Sequence, residues 1–451
     1  MLVLFSFVSY IYCCAPGIAR ELNRVKLLVR NIYSLFFIGL LLAATPLQAA
    51  IISKIEFVGN VKTADFVLLQ EMQTKVGDQL NIKTIESDIQ AIMDLSLFRK
   101  VEYFLHEEEN QVFDSNVKLE IRVVEKRYLF ILPEIKMDDD ENRLYYGVRA
   151  YWDNIGGSNK SLRFRARENG KVLGVRDIRQ NLTYRMPRLN GSPYTLEVFN
   201  DYRDAAVESD TDDPQLREEF KYGFAMERWL NPKGRSSGWY IGAGLYTEER
   251  NNEAMFAGDI SLPDFRGDFL ELRLGYKRIN EYLYNRRGKD VGYIVNTNQV
   301  FSSEQEAHTK HLLFYRSYYR LKSNPLNNLN VQVQLGFSNT DYLGDPVFDL
   351  GGRSLRGYEK GAYTGNAMLQ MNVEYLAPFS LNPAYRYGFL FDVGNTYERA
   401  SEIDISDLHP SVGFGFRWKL AAFVKVNIRL DFAYAIDTGD SNVLLGSRHV
   451  F

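Results

Sequence analysis

Only two cysteines occur in the 451 residues, Cys13 and Cys14. No disulfide can form in the rest of the chain, which is compatible with passage through an oxidising compartment and leaves stability to burial and hydrogen bonding. Neither cysteine has the small-residue setting of a lipid-attachment site. Histidine is also scarce. His106, His308, His311, His409 and His449 are scattered, and a loop explains the spacing of His308 and His311 better than a zinc site does. Asp210, Asp212 and Asp213 lack the glycine and terminal glutamate of a calcium loop. Gly352-Arg353-Ser354-Leu355-Arg356 misses the last glycine of a nucleophile elbow. No phosphate-binding glycine loop stands between a strand and a helix. These absences predict no metal, no cofactor and no enzymatic activity.

Long apolar runs are missing too. The run over 32–44, preceded by Arg24, Lys26 and Arg30 and followed by Thr45-Pro46-Leu47-Gln48-Ala49-Ala50, is too short to span a bilayer as a helix. It fits a targeting segment cleaved near Ala49, so residues 1–50 are expected to be removed. A second apolar patch over 2–14 suggests that translation starts nearer Val25 or Leu27. Four basic residues and one acidic residue leave with this segment, moving the formal charge from −3 to about −6, which argues against a nucleic-acid partner.

What is abundant is aromatic: 29 tyrosines and 29 phenylalanines, as in proteins with girdles at a membrane boundary. Residues 51–126 read as a small α+β module in the order β-α-α-β-β. A strand over 51–58 stops at Gly59-Asn60, helical spacing covers 63–73 and 81–95 with Asn81 as N-cap, and alternation returns over 98–105 and 116–125.

From Tyr128 onward no helix is evident. Sixteen strands are expected, at 128–136, 143–152, 161–168, 174–187, 193–203, 218–229, 238–248, 267–279, 290–301, 310–321, 328–339, 364–377, 385–397, 410–419, 423–434 and 442–451. Leu329, Val331, Val333, Leu335 and Phe337 alternate with Asn330, Gln332, Gln334 and Gly336, and Val424, Val426, Ile428, Leu430 and Phe432 with Lys425, Asn427, Arg429 and Asp431. A soluble sandwich and a barrel with a polar lumen both produce this pattern. Connection lengths distinguish them. Those at 204–217, 251–265, 340–363 and 400–409 are long and polar, whereas those at 154–159, 188–192, 323–327 and 421–422 are short, as in an outer-membrane barrel. The connection at 279–290 is too long for the scheme.

Gly351-Gly352-Arg353-Ser354-Leu355-Arg356-Gly357-Tyr358 is a glycine-rich loop that the other features surround. Glu374 and Asp392 follow it on alternating strands, facing away from their apolar neighbours. Inward carboxylates would hold a loop arginine by charge-assisted hydrogen bonds. Glycines here would let the loop turn back into the lumen.

These motifs carry a resemblance. Phe57-Val58-Gly59-Asn60 and Leu97-Phe98-Arg99-Lys100-Val101 resemble the start and the helix-to-strand junction of a POTRA domain. Leu355-Arg356-Gly357-Tyr358, with Glu374 and Pro378 on one strand and Asp392 and Gly394 on the next, resembles the sixth-loop signature and its acidic partners in the BamA, TamA and FhaC superfamily of bacterial surface antigens. Leu355 stands for the usual valine, and Leu390 for an aromatic residue or glycine. The last strand resembles the C-terminal barrel signal through Gly446 and Phe451, with Leu444 and His449 departing from it. The resemblance implies a POTRA-like periplasmic domain over 51–126 and a sixteen-stranded antiparallel transmembrane β-barrel over 127–451 in the outer membrane. It implies a loop lock of Arg356, Gly357, Tyr358, Glu374, Asp392 and Gly394, and a substrate edge at Phe98, Val101, Tyr103 and Leu105. The expected function is insertion or translocation of unfolded outer-membrane or secreted polypeptides. Strand addition on the POTRA edge and a weakly closed seam between first and last strands would serve it, with outer-membrane lipid and accessory lipoproteins as further partners. A dedicated exporter of one secreted partner and a passive channel or structural surface protein remain as alternatives. A single POTRA points to a specialised role.

Overall fold

Alternation makes the strands of the N-terminal module and an isoleucine stripe makes its long helix. The computed structural model describes residues 50–446 apart from 109–115, 139–142, 173–174, 208–212, 232–234, 302–306, 342–345 and 380–381. The targeting segment (but for Ala50), Asp210, Asp212, His449 and Phe451 lie outside these. The module comprises β1 (Ile51–Val58), α1 (Asp65–Leu69), α2 (Ile82–Asp94), β2 (Phe98–Glu108) and β3 (Asn116–Glu125). The Asn81 side chain accepts from the Thr84 N–H at 3.2 Å, satisfying an amide that a helix start leaves unpaired. The helix expected over 63–73 shortens to α1 because both its ends find other partners. The Thr63 hydroxyl donates to Glu125 at 2.6 Å, and the Gln73 and Thr74 amides donate to buried Asp88 at 2.9 and 3.0 Å.

Leu68, Ile85 and Ile92 pack on Ile52, Leu119, Ile121 and Phe98 in one apolar core. The sheet order is β1-β3-β2, with β1 parallel and β2 antiparallel to β3. The outer side of β1 is covered. Its Ile52 N–H donates to the Asp78 carbonyl at 3.0 Å, and its Ile52 carbonyl accepts from the Gly77 N–H at 2.8 Å. Among the described residues β2 has no second neighbour.

The remaining chain forms β4 (Leu129–Asp138), β5 (Arg143–Ile155), β6 (Lys160–Val172), β7 (Val175–Met186), β8 (Tyr194–Val207), β9 (Gln215–Trp229), β10 (Gly238–Ala254) and β11 (Phe265–Glu281). These are followed by β12 (Arg286–Thr297), β13 (Thr309–Arg320), β14 (Asn328–Ser338), the short β15 (Phe348–Leu350) and β16 (Tyr363–Gly365), β17 (Ala367–Pro378), β18 (Tyr385–Tyr397), β19 (His409–Lys419), β20 (Asn427–Ala435) and β21 (Ser441–Gly446). Sixteen of them make one antiparallel sheet in chain order, in which β14 pairs with β17, while among the described residues β15 and β16 pair only with each other. The two margins of this sheet approach one another. The Arg127 N–H donates to the Ala422 carbonyl at 2.6 Å, and the Phe130 and Phe423 rings pack edge to face at 4.8 Å.

Burial runs opposite to a soluble sheet. On β14 Asn328, Asn330 and Gln332 are buried, while the apolar residues between them are only half covered. Phe389, Phe414 and Leu445 are about 60% exposed on the outer wall. Apolar outside and polar inside is the arrangement of a membrane barrel, so the choice that periodicity left open falls to that fold.

Two expected boundaries are corrected. The connection at 279–290 shrinks to residues 282–285, because Glu281 and Arg286 pair across the ladder and extend both strands beyond their apolar alternation. The strand expected at 423–434 begins at Asn427. Lys425 takes a left-handed φ of 51°, and Val424 turns into the N-terminal core beside Tyr128, so Val424 does not face lipid.

Candidate functional site

Residues 346–366, between β14 and β17, fold inward, and their glycines explain how. Gly351 and Gly357 have φ of 125° and 101°, which side-chain-bearing residues avoid. A Cβ on Gly357 would fall 2.9 Å from the Ala435 amide nitrogen, so this residue lets the loop lie directly on β20. Gly394 plays a similar part on the wall. A Cβ there would fall 3.2 Å from Leu350 Cδ1 of the loop hairpin and 3.0 Å from the Leu369 carbonyl. Leu350, Leu355 and Tyr358 pack with Phe348, Met368 and Ala435 into a small apolar cluster.

Arg356 is fully buried below that cluster. Its Nε and Nη2 each donate to Asp392 at 2.6 Å, and its backbone N–H adds a third bond at 3.1 Å. Nη1 reaches Glu374 at 3.4 Å and Asp431 at 3.6 Å. Arg417 ion-pairs with both Glu374 and Asp431, and Arg429 lies 3.6 Å from Asp431. The result is three arginines among three carboxylates, all nearly inaccessible to solvent. Each charge is desolvated, and the cluster is tolerable only because opposite charges and polar neighbours surround it. Gln370 and Asn372 donate to the Ser354 carbonyl, fixing the loop just before Arg356.

Tyr358 makes a separate anchor. Its hydroxyl donates to the Pro410 carbonyl at 2.9 Å and to Asp437. Asp437 also pairs with His409, whose ring stacks on Tyr363 at 4.0 Å.

The structure thus gathers Arg356, Gly357, Tyr358, Glu374, Asp392 and Gly394. Asp431, Arg417, Arg429 and Asp437 escaped the sequence reading. Asp431 and Arg429 do stand on the polar side of the alternation in β20, which was the available signal. Gly446 sits elsewhere, at the end of β21, where a Cβ would lie 2.6 Å from Arg429 Nε; the residue makes room for that guanidinium.

Phe98, Val101, Tyr103 and Leu105 lie along β2. Phe98 and Val101 are buried in the module core, Tyr103 is half-buried, and Phe104 and Leu105 are exposed at the far end. On this strand the open feature is therefore the backbone edge, with apolar side chains available only beyond Tyr103.

The module docks on the barrel end that carries the short turns. Arg235, between β9 and β10, donates to the Glu71 carbonyl at 3.0 Å, to Ser87 at 2.8 Å and to Asp88. Arg188 pairs with Glu71 at 2.8 Å. The Asn154 amide donates to Thr63 at 2.8 Å, and the Ala64 N–H to the Gly157 carbonyl at 3.0 Å. On α2, Asp94 accepts from the Glu281 N–H at 2.8 Å. Burial pushes its carboxyl up to about 6, with the nearby Glu281 and Glu71 charges adding to the rise and hydrogen bonds from Gln90 and the Glu281 amide opposing it. A cavity of about 1050 Å³ separates the module from the lumen wall, lined by charged residues including Glu71, Asp94, Arg163, Arg185 and Glu281. Among the described residues no cluster is placed to hold a metal ion.

Residues 50–126 match the POTRA family of surface antigen variable number repeats. Residues 154–443 match the Omp85 superfamily domain. The chain belongs to the Omp85 superfamily. Among solved structures, this Omp85 chain is similar to BamA from Haemophilus ducreyi lacking POTRA domains 1–3, with 16% identity, a TM-score of 0.51, and coverage of 88% of this chain and 83% of that one. It is similar also to CdiB from Acinetobacter baumannii, with 12% identity, a TM-score of 0.60 and 88% and 73% coverage. For CdiB from Escherichia coli the values are 10%, 0.62, 89% and 75%. At these identities the likeness is one of fold. No curated protein matches the chain significantly. Omp85 membership makes this an outer-membrane barrel with a periplasmic POTRA domain.

Proposed function

We propose that this protein receives extended polypeptides by strand addition on β2 and passes them into or across the outer membrane at the seam between β4 and β21. The observation that carries the reading is the asymmetry of the POTRA sheet. Residues 77–80 cover β1, whereas β2 has no second neighbour among the described residues. An uncovered edge supplies a row of backbone donors and acceptors to an incoming strand and is otherwise an aggregation liability. Phe104 and Leu105 would add apolar contact at its far end. Backbone pairing and apolar burial in lipid would drive transfer without a nucleotide or a catalytic residue. The buried Arg356 cluster would hold the loop seated in the resting barrel, before a substrate arrives.

Photoreactive residues at Phe104, Leu105 and Val443 test this in cells. Capture of several unrelated barrel precursors supports an assembly role, and one recurrent secreted protein would make it a dedicated exporter. Absence of any polypeptide adduct from well-folded protein, together with steady ion conduction, would overturn the proposal in favour of a passive channel.

A further inference from the structure

Several of the loop's contacts fall on the last hairpin. On β21 the Asn442 amide donates to the Tyr358 carbonyl at 3.4 Å, and the Leu445 carbonyl accepts from Arg353 Nη2 at 3.5 Å. Asp437, in the turn between the two strands, takes the Tyr358 hydroxyl. Arg356 is different. Its strongest bonds go to Asp392 on β18, well inside the ladder.

We infer that Arg353 and Asn442 are positioning residues that brace β21 against the seated loop, so that the last strand keeps its place at the seam only while the loop is in the lumen. The inference rests on the seam proposed above as the exit. Arg356 fastens the loop to the wall; Arg353 and Asn442 pass that fixation on to β21, which among the described residues pairs with β20 alone. Withdrawal of the loop would then free β21 and open the seam in the same movement.

Spin labels at Ile131 on β4 and Leu445 on β21 test this. Both side chains project from the outer wall, 58% and 59% exposed, and the chain after residue 14 has no native cysteine to interfere. Distance distributions would be measured in lipid nanodiscs for the parent, Arg353→Ala, Asn442→Ala, the double variant and Arg353→Lys. The double variant is expected to add a second, longer population, while Arg353→Lys, which keeps a cationic donor near the Leu445 carbonyl, retains the parent distribution. A control pair at Phe224 and Leu313, on β9 and β13, should stay unchanged. An unchanged seam distribution in the double variant overturns the inference, and so does equal broadening of the control pair, which would mean general loosening. Failure of polypeptide capture would sink the proposed function without altering these distances.

Discussion

Arg356 binds Asp392 through three donors at once, its Nε, its Nη2 and its own backbone N–H, so the side chain and the loop backbone are fixed on the same carboxylate. Glu374, by contrast, meets Arg356 at 3.4 Å and is paired more closely with Arg417. The two carboxylates are therefore not equivalent. Arg356→Ala should destabilise the seated loop by about 3–5 kcal/mol, because Asp392 is left buried without its cation. Arg356→Lys should not restore it, since a point charge cannot reproduce the guanidinium fork. Asp392→Asn should release the loop more than Glu374→Gln does. Protease susceptibility of the loop measures the order, and a larger effect at Glu374 would contradict it.

Gly357→Ala should unseat the loop without touching a charge. The residue combines a φ of 101° with a 2.9 Å approach to the Ala435 nitrogen, so a methyl group meets both backbone strain and a clash. A cost of about 1–3 kcal/mol is expected from the strain alone. Loop protection equal to the parent's would show that the backbone can shift to accept the methyl group.

Arg235→Ala should loosen the POTRA domain from the barrel. It removes three hydrogen bonds, including the one to fully buried Asp88, which among the described residues then keeps only the Gln73 and Thr74 amides. Bonds to charged groups typically contribute about 1.5–3 kcal/mol each. Energy transfer between dyes on exposed Arg99 and Ser323 should fall, and unchanged transfer would mean that Arg188 and Thr63 suffice.

Docking should also depend on pH through Asp94. The docked carboxyl titrates near 6, and an undocked one near 3.9, so the docked state holds the proton more tightly. Proton uptake then favours docking below about pH 4, and this contribution is lost as pH rises through about 6. Asp94→Asn, which cannot ionise, should remove that dependence and strengthen docking at neutral pH. The same dye pair reads it, and a pH profile identical to the parent's would exclude Asp94 as the titrating group.

Arg356, Glu374 and Asp392 were legible because a loop motif and inward-facing charges on the next two strands stand close together in the chain. Asp431 and Arg417 lie on the same inward faces, yet nothing local tells which charges of sixteen strands converge. That depends on the depth of the loop and on how the sheet curves. The ends of β11 and β12 were illegible for another reason. Beyond the apolar zone both strands carry charges, so pairing such as Glu281 with Arg286 continues where alternation has already stopped. The β2 edge was readable as a strand, but the cover over β1 was not, because residues 77–80 reach it through backbone groups that side-chain patterns do not report.

In the buried cluster, Arg356, Arg417 and Arg429 balance Glu374, Asp392 and Asp431, and of these six only Arg356 belongs to the loop; the other five belong to the wall. Taking the loop out leaves two cations facing three anions. Among these six groups the charges cancel in the seated state, and without Arg356 the remaining five would carry one unit of negative charge. An open lumen would therefore attract small cations and basic polypeptide segments more than the closed one does, so the same movement that clears the passage would also alter its selectivity.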